Sequence, residues 1–239
     1  MEAAEYALMD REEQRMWWYR ALHARLAAAL VDVTGPLLAA GCGTGGLLAV
    51  LARAHADRHG VEFNEAAARL AAAKSGAAIA RGSITALPYA DDSFAAVVSA
   101  DVLCHAAVDP GPALAELRRV LRPGGRLVLN LPSYQWLLSA HDRRVHNSRR
   151  FTATGVRALL VGAGFAAIRA RYWNSLLFPV MVAQRKLLAR RDDDASDVAA
   201  FSPWLDATLH GITRAEQWLP ALPFGGSLLV VATRPGQRD

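Results

Sequence analysis

The chain has 239 residues, of which 53% are hydrophobic and 21% are charged, so it can bury a sizeable core and is not a disordered protein. Its 27 Lys and Arg residues against 22 Asp and Glu residues give a formal net charge of +5, which permits an anionic partner without requiring one. The only two cysteines, Cys42 and Cys104, exclude a disulfide scaffold and a zinc site built from cysteines.

The first residues lack the basic and then apolar pattern of a secretory leader, and no apolar run approaches the roughly 20 residues that a membrane-spanning helix needs. We therefore expect a single-domain, cytoplasmic protein.

Short apolar runs alternate with longer amphipathic ones, which predicts βαβ units and a parallel sheet with helices on both faces. We predict helices at 10–31, 47–56, 65–74 and 113–121, and strands at 36–40, 60–63, 77–80, 94–100 and 126–131. Asn64 is the expected N-cap of the third helix, and the segment Arg122-Pro-Gly-Gly125 is expected to end the fourth.

The last third of the chain changes character. We predict a helix at 152–161, a strand at 165–172, helices with polar breaks at 173–223 and a final strand at 226–233. A strand, a long excursion and a returning strand indicate an antiparallel edge with an insertion in its connection. We therefore divide the domain into an N-terminal helical lid at 1–35, a cofactor-binding core at 36–172, a helical cap at 173–224 and a last strand and tail at 225–239.

A glycine-rich turn, Gly41-Cys-Gly-Thr-Gly-Gly46, follows the first predicted strand and opens a helix. Glu62 ends the next strand, at the spacing where an acid holds ribose hydroxyls. The first, third and sixth positions of the turn satisfy the dinucleotide fingerprint, whereas the first, third and fifth satisfy the tighter turn used for an adenosyl amino acid. The glycines alone leave both ligands open.

Three segments extend this pattern: Leu37-Leu-Ala-Ala-Gly-Cys-Gly-Thr-Gly45, Leu87-Pro-Tyr-Ala-Asp-Asp-Ser-Phe94 and Leu114-Ala-Glu-Leu-Arg-Arg-Val-Leu-Arg-Pro-Gly-Gly-Arg-Leu-Val-Leu129. With them the chain resembles the class I S-adenosylmethionine-dependent methyltransferases, in their small-molecule, type 11-like branch. The resemblance implies a Rossmann-like α/β fold with a seven-stranded, mostly parallel sheet and an antiparallel last strand. It also implies methyl transfer to an O, N or C nucleophile of a small, partly apolar metabolite, such as a natural-product or lipid-like intermediate.

The resemblance assigns the cofactor S-adenosyl-L-methionine to a defined set of positions. The turn would wrap its methionine and ribose parts, Glu62 would hold the ribose, and an aromatic residue of the first helix would face the sulfonium or else pack in the core. The full set is Gly41, Cys42, Gly43, Thr44, Gly45, Glu62, Phe63, Ser83, Ile84, Asp101 and Tyr19. The chain departs from the family pattern at Ala39, Ser83 and Ala95, where the family usually has an acid; loss of the first two predicts a weaker grip on the cofactor.

Three residues are candidates for catalysis, and each also has a structural interpretation. His105 follows the fourth strand and could act as a base or clamp the acceptor, or simply hold its loop. His141, beside Asp142, and Tyr134 lie after the fifth strand and could face the acceptor or stabilise the turn. The histidines lack a recognised metal-ligand spacing, so we expect no metal.

Two other functions stay open: a nicotinamide-dependent oxidoreductase, because the glycine spacing permits it, and a non-catalytic methyltransferase-like binding module, because of Ala39 and Ser83. No nucleic-acid module is recognisable. The apolar segment 176–183, followed by the basic segment 184–191, favours a cap over the acceptor first, then a homodimer face, then peripheral membrane contact.

Overall fold

In a computed structural model, which describes residues 3–188 and 201–236, the chain forms a seven-stranded sheet in the order β3-β2-β1-β4-β5-β7-β6. The strands are β1 Leu37–Ala40, β2 Arg58–Glu62, β3 Ala78–Arg81, β4 Phe94–Ala100, β5 Leu121–Pro132, β6 Ala166–Trp173 and β7 Ser227–Thr233. The first five strands pair in parallel, and β7 runs antiparallel to both β5 and β6. This topology confirms the predicted fold class and the antiparallel last strand.

Helices cover both faces of the sheet. They are α1 Ala3–Glu12, α2 Trp17–Ala28, α3 Gly46–Leu51, α4 Glu65–Ser75, α5 Pro110–Val120, α6 Ala140–Arg144, α7 Ala153–Gly162, α8 Phe178–Ala183 and α9 Pro203–Ala215. The side chain of Asn64 accepts a hydrogen bond from the Ala67 backbone N–H, which confirms the predicted cap of α4. None of the helices in the described ranges is long and apolar enough to cross a membrane.

Successive residues of the central strand β4 enter different hydrophobic cores. Phe94 and Val97 belong to the core under α5 and α7, whereas Ala96 and Val98 belong to the core under α2 and α3. A strand that is buried on both faces reads as a continuous apolar run, and this is why β4 was predicted with its correct bounds.

The predicted helix at 10–31 is wrong, because two helices with a turn between them occupy this region. The turn places the Glu13 carboxylate against the glycine-rich turn, where it accepts from the Thr44 hydroxyl at 2.7 Å and from the Gly46 backbone N–H at 3.1 Å. Lys74 of α4 forms an ion pair with the same carboxylate. These long-range partners direct α1 across the sheet edge while α2 packs against the sheet.

The predicted start of β5 is also wrong. Leu121 already pairs with Phe94, and the ladder resumes at Arg126 opposite Ala96, so residues 122–125 form a bulge within the strand. The breaker therefore interrupts the strand locally, while α5 ends at Val120 as expected.

Helices α8 and α9 confirm that the insertion is largely helical where it is described. α9 packs on α2: Asp206 accepts from the Trp17 backbone N–H at 2.6 Å, and Arg25 donates to the Thr213 carbonyl at 2.7 Å. Residues 189–191 of the predicted basic segment lie outside the described residues.

Candidate functional site

The glycine-rich turn lies at the carboxyl end of β1, at the point of the sheet where the strand order reverses between β1 and β4. Gly41, Gly43 and Gly45 have φ angles of +75°, +55° and +89°. A Cβ atom on Gly45 would lie 2.7 Å from the Cα of Ala71, so a side chain there would collide with the backbone of α4. Glycine therefore permits both the left-handed turn and its close packing, at the place where open α/β sheets bind ligands.

Glu62 is the last residue of β2, and its buried carboxylate faces the turn as predicted. Oε2 accepts from the Gly43 backbone N–H at 2.9 Å. Oε1 accepts from the Asn64 backbone N–H and from the Tyr6 hydroxyl, both at 3.0 Å. The carboxylate is thus held rigidly at the mouth of the turn, where Oε2 keeps an acceptor site for a ribose hydroxyl while Oε1 is already bonded to two donors.

Helix α1 of the expected N-terminal lid lies over the turn and contacts it through Tyr6 and Met9, two residues that the sequence analysis did not single out. Burial and the charge of Glu62 raise the pKa of Tyr6, so its phenol keeps its proton and donates to the carboxylate. The sulfur of Met9 lies 3.1 Å from the position that a Cβ on Gly43 would take. Tyr6 and Met9 are therefore candidate site residues that sequence reasoning missed. Their roles depend on contacts with distant parts of the chain; the partner of Tyr6, Glu62, lies 56 residues further along.

The N-terminus of α3 decides between the two ligands that the glycine spacing left open. A dinucleotide places its pyrophosphate on the exposed backbone N–H groups of this helix end. Here the carboxylate of Glu13 already binds the Gly46 N–H and the Thr44 hydroxyl, and both Thr44 and Gly46 are buried. The Glu13 carboxylate thus occupies the place where the pyrophosphate of a dinucleotide would bind, which favours an adenosyl amino acid over a dinucleotide.

The predicted adenine residues lie next to Glu62 along the edge of the sheet. Phe63 is 75% exposed, whereas Ile84 is buried. The Ser83 hydroxyl lies 2.8 Å from the Thr85 hydroxyl and accepts from the Thr85 backbone N–H, so it stabilises its own turn. Burial raises the pKa of Cys42 to about 12, which keeps its thiol neutral within the turn.

Asp101 follows β4 with a left-handed backbone, and the Asn130 side-chain amide donates to both of its carboxylate oxygens at 3.1 and 3.0 Å. The Asn130 oxygen in turn accepts from the Trp173 indole N–H at 2.8 Å. Burial raises the pKa of Asp101 to about 7. A nearby cation would favour its ionised form, as expected of a group beside the methionine end of the cofactor.

Tyr19 is buried, and burial, followed by the charges of Glu13 and Asp101, raises its pKa. Its ring packs edge-on against Trp18, with ring centroids 5.1 Å apart. The structure therefore brings Tyr19 to the same region as Asp101, and it also gives Tyr19 a packing role.

His105 is half-buried beside α6. Burial lowers its pKa, although a hydrogen bond to the Val145 backbone opposes the shift, so the imidazole is neutral near pH 7. Its carbonyl accepts from Arg149 at 2.7 Å. A neutral imidazole at this edge is compatible with a base and with an anchor for the loop.

The other two candidate catalytic residues lie among an ion-pair cluster and an aromatic cluster. His141 belongs to α6, where Asp142 is buried and binds Arg150 through both oxygens at 2.9 Å. Although burial opposes it, the charge of Arg150 holds the pKa of Asp142 below its usual value. Tyr134 stacks on Tyr172 at 5.4 Å, and burial raises its pKa, so it joins an aromatic cluster rather than the glycine turn.

Comparison with known proteins supports this geometry. Residues 38–129 match the family model described as a methyltransferase domain. An uncharacterised 37.1 kDa protein in transposon TN4556 of Streptomyces fradiae is 31% identical over 224 residues, which cover 86% of this chain and 60% of that protein. The 24-methylenesterol C-methyltransferase 2 of Arabidopsis thaliana is 33% identical over 130 residues, which cover 48% of this chain and 34% of that enzyme.

Solved structures share the fold. The phosphoethanolamine N-methyltransferase 2 of Haemonchus contortus, solved in complex with S-adenosyl-L-methionine, superposes with a TM-score of 0.59 at 19% identity, and the match covers 91% of this chain and 53% of that one. The chain thus spans about 60% and about a third of the lengths of the two curated relatives.

The sheet order, the left-handed turn and the facing acid define a Rossmann-like domain with a candidate site for an adenosyl amino acid. The match of residues 38–129 to the methyltransferase-domain model agrees with the resemblance of the chain to class I S-adenosylmethionine-dependent methyltransferases. Its residues fit the cofactor: Glu62 offers acceptor oxygens for a ribose, Asp101 offers a carboxylate for a cationic group, and Glu13 fills the position that a phosphate would need.

Proposed function

We propose that this chain is a methyltransferase that transfers a methyl group from S-adenosyl-L-methionine to a small, partly apolar acceptor. The observation that carries the proposal is the Glu62 carboxylate, held 2.9 Å from the Gly43 N–H across a turn whose helix end is filled by Glu13. When bound, the cofactor supplies a methyl group already activated by a cationic sulfonium. The protein then needs chiefly to orient the acceptor and exclude water.

Each group at the turn has a role in this proposal. Glu62 holds the ribose, Asp101 attracts the cationic methionine end, and the buried ring of Tyr19 provides an aromatic neighbour for positive charge. The region 1–35 acts as the lid, and α1 supports this role by lying across the turn with Tyr6 bonded to Glu62. The region 173–224 acts as the cap, which the packing of α9 on α2 supports.

An aromatic groove supports a partly apolar acceptor. It has a volume of about 500 Å³ and is lined by Trp136, Phe178, Pro179, Val182, Ala183 and Phe224. Tyr134 joins it through contacts with Trp136 and Phe178, whose ring centroids lie 5.8 and 5.5 Å away. A flat or branched hydrocarbon body would fill such a groove, and the name of the sterol C-methyltransferase relative agrees with a lipid-like acceptor.

A protonated acceptor needs a base, and His105 is our first candidate because it is neutral near pH 7. His141 and Tyr134 remain candidates for positioning the acceptor. We expect His105→Ala to lower turnover while leaving cofactor affinity unchanged; equal turnover would assign His105 to the structure of its loop.

The exposed apolar residues of the cap favour a contact surface. Trp218 is 91% exposed, and Leu219 and Phe224 follow it in the same loop. We propose that this surface meets either a lipid membrane or a second copy of the chain. Flotation with anionic vesicles and size-exclusion chromatography separate these two partners, and a monomer that stays unbound in both would refute the proposal.

Calorimetry tests the cofactor assignment. The wild type is expected to bind S-adenosyl-L-methionine and S-adenosylhomocysteine but not NAD. Glu62→Gln should lose at least about tenfold in affinity, because a charged acceptor of hydrogen bonds becomes neutral. Glu65→Gln is the matched control, because Glu65 is exposed on the next helix and pairs with Arg69.

NAD binding would restore the oxidoreductase alternative, and no binding of any of the three would favour the non-catalytic module. Incubation with methyl-labelled cofactor and host extract, followed by identification of the labelled product, then identifies the acceptor and the atom that receives the methyl group.

A further inference from the structure

Two buried polar atoms beside the sheet have no hydrogen-bond partner among the described residues: the Ser133 hydroxyl oxygen and the Asn174 side-chain oxygen. Ser133 is 0% exposed and Asn174 is 6% exposed. A buried polar group without a partner destabilises a fold by about 1–3 kcal/mol, so native proteins place such groups where something else satisfies them. The mechanism proposed above uses neither residue.

The strand register brings these two residues together. Leu131 and Tyr172 both pair with Leu228, on either side of β7. Two residues further along, the Ser133 N–H donates to the Gly226 carbonyl at 3.1 Å, and the Gly226 N–H donates to the Asn174 carbonyl at 3.3 Å.

The backbones of Ser133 and Asn174 therefore lie on either side of Gly226, just past the carboxyl end of β5, which is the same edge of the sheet as the glycine turn.

Glycine at position 226 leaves a narrow space beside the side chains of Asn174 and Met181. A Cβ there would lie 3.1 Å from the Met181 methyl carbon and 3.4 Å from the Asn174 side-chain nitrogen. Met181 belongs to α8, whose residues Phe178, Pro179, Val182 and Ala183 line the aromatic groove. The same short helix therefore lies beside Asn174 and forms a wall of the groove.

Helix α8 is held weakly. All of its six residues lie in the described part of the chain, and none is buried. A segment with little buried apolar surface opens at a low free energy compared with the core. Movement of α8 would admit a ligand to Ser133 and Asn174 without disturbing the strands beneath.

We propose that Ser133 and Asn174 bind the polar group of the methyl acceptor, whose apolar body lies in the aromatic groove. This inference rests on the proposed methyltransferase function and specifies its acceptor. The Asn174 oxygen only accepts hydrogen bonds, and the Ser133 hydroxyl can also accept one. The acceptor is therefore an amphipathic molecule that carries a hydrogen-bond donor, such as a hydroxyl or an amine, at the end of a flat or branched hydrocarbon.

Two probes of matched shape test the proposal: 2-naphthol, which can donate a hydrogen bond, and 2-methoxynaphthalene, which cannot. Their affinities for the full-length protein are measured by ligand-observed NMR titration. We expect the wild type to bind 2-naphthol about tenfold more tightly, the ratio that one hydrogen bond of average strength supplies.

Ser133→Ala and Asn174→Gly should reduce that preference to less than about twofold while leaving the affinity for 2-methoxynaphthalene unchanged. Glycine is chosen at position 174 because Asn174 has a φ of +58°. Ser93→Ala is the control, because the Ser93 hydroxyl bonds only locally to the Ala90 carbonyl, and it should keep the wild-type preference.

Three results would overturn the proposal: failure of both probes to bind, an equal affinity for both in the wild type, or an unchanged preference in the two variants. A lower urea midpoint for Ser133→Ala than for the wild type would also overturn it, because the hydroxyl would then have a structural partner. Calorimetry with S-adenosyl-L-methionine on the same proteins separates the two proposals, since retained cofactor binding leaves the methyltransferase assignment intact whatever the probes do.

Discussion

Replacing Tyr6 by Phe should strengthen cofactor binding. The Tyr6 hydroxyl and the Asn64 N–H both donate to Oε1 of Glu62, so that oxygen has no lone pair left for a ribose hydroxyl. A hydrogen bond to a charged group contributes about 1.5–3 kcal/mol, and the partial exposure of Tyr6 reduces this to about 1–1.4 kcal/mol. The cofactor has to break this bond before it can bind Glu62 fully.

Without the hydroxyl that cost disappears, so the Kd of Tyr6→Phe for S-adenosyl-L-methionine should fall about five- to tenfold in isothermal calorimetry. Tyr172→Phe makes the same chemical change far from Glu62, at a hydroxyl that accepts from the Ala153 N–H, and should leave the Kd unchanged. An unchanged Kd for Tyr6→Phe would show that α1 does not compete with the cofactor. A higher Kd would show that Tyr6 itself binds the cofactor.

Three further changes test other parts of the structure. Asp101→Asn should raise the free energy of unfolding above that of the wild type at pH 8, and this gain should shrink as the pH falls from 7 towards 4. The reason is that the folded pKa of about 7 lies above the ordinary value of an aspartate, so ionisation of Asp101 opposes folding at pH values between the ordinary and the folded pKa. Urea unfolding at pH 4 and 8 measures the effect, and a gain independent of pH would contradict it. Gly45→Ala should destabilise the fold by about 2 kcal/mol or more in the same assay, because its Cβ would lie 2.7 Å from the Ala71 backbone. Gly76 is also left-handed, but a Cβ there would meet nothing within 4 Å, so Gly76→Ala should destabilise the fold by only about 1 kcal/mol. Equal losses of stability in the two variants would be inconsistent with the collision. Trp218→Ser should leave the free energy of unfolding within about 0.5 kcal/mol of the wild type, because the side chain is 91% exposed. The variant should also show weaker vesicle flotation or weaker dimer formation, and wild-type behaviour in both assays would exclude Trp218 from the contact surface.

Local patterns sufficed to predict the sheet and the glycine turn. β4 is a continuous apolar run, and the cap at Asn64 and the left-handed glycines are properties of a few adjacent residues. The place of Glu62 at the end of β2 could also be predicted, because it follows from the number of residues between the glycine turn and the end of the next short strand. These features depend on short-range physics, and the structure confirms them.

Features that depend on distant partners could not be predicted in this way. The turn between α1 and α2 follows from the bonds of Glu13 to Thr44, Gly46 and Lys74, none of which is near it in sequence. Because that turn was not predicted, the contact between Tyr6 and Glu62 could not be predicted either. The placement of Ser133 and Asn174 on either side of Gly226 depends likewise on the register of three strands.

The indole of Trp173 links parts of the chain that a domain diagram would separate. Its N–H bonds to Asn130, its ring stacks on Trp18 at 6.2 Å, and the Arg25 guanidinium lies 4.5 Å from its centroid. Arg25 in turn bonds to the Thr213 carbonyl of the insertion. A chimera that exchanges the insertion with that of a relative must therefore include the matching α2 helix as well. The insertion and α2 thus form one structural unit that has to be exchanged as a whole.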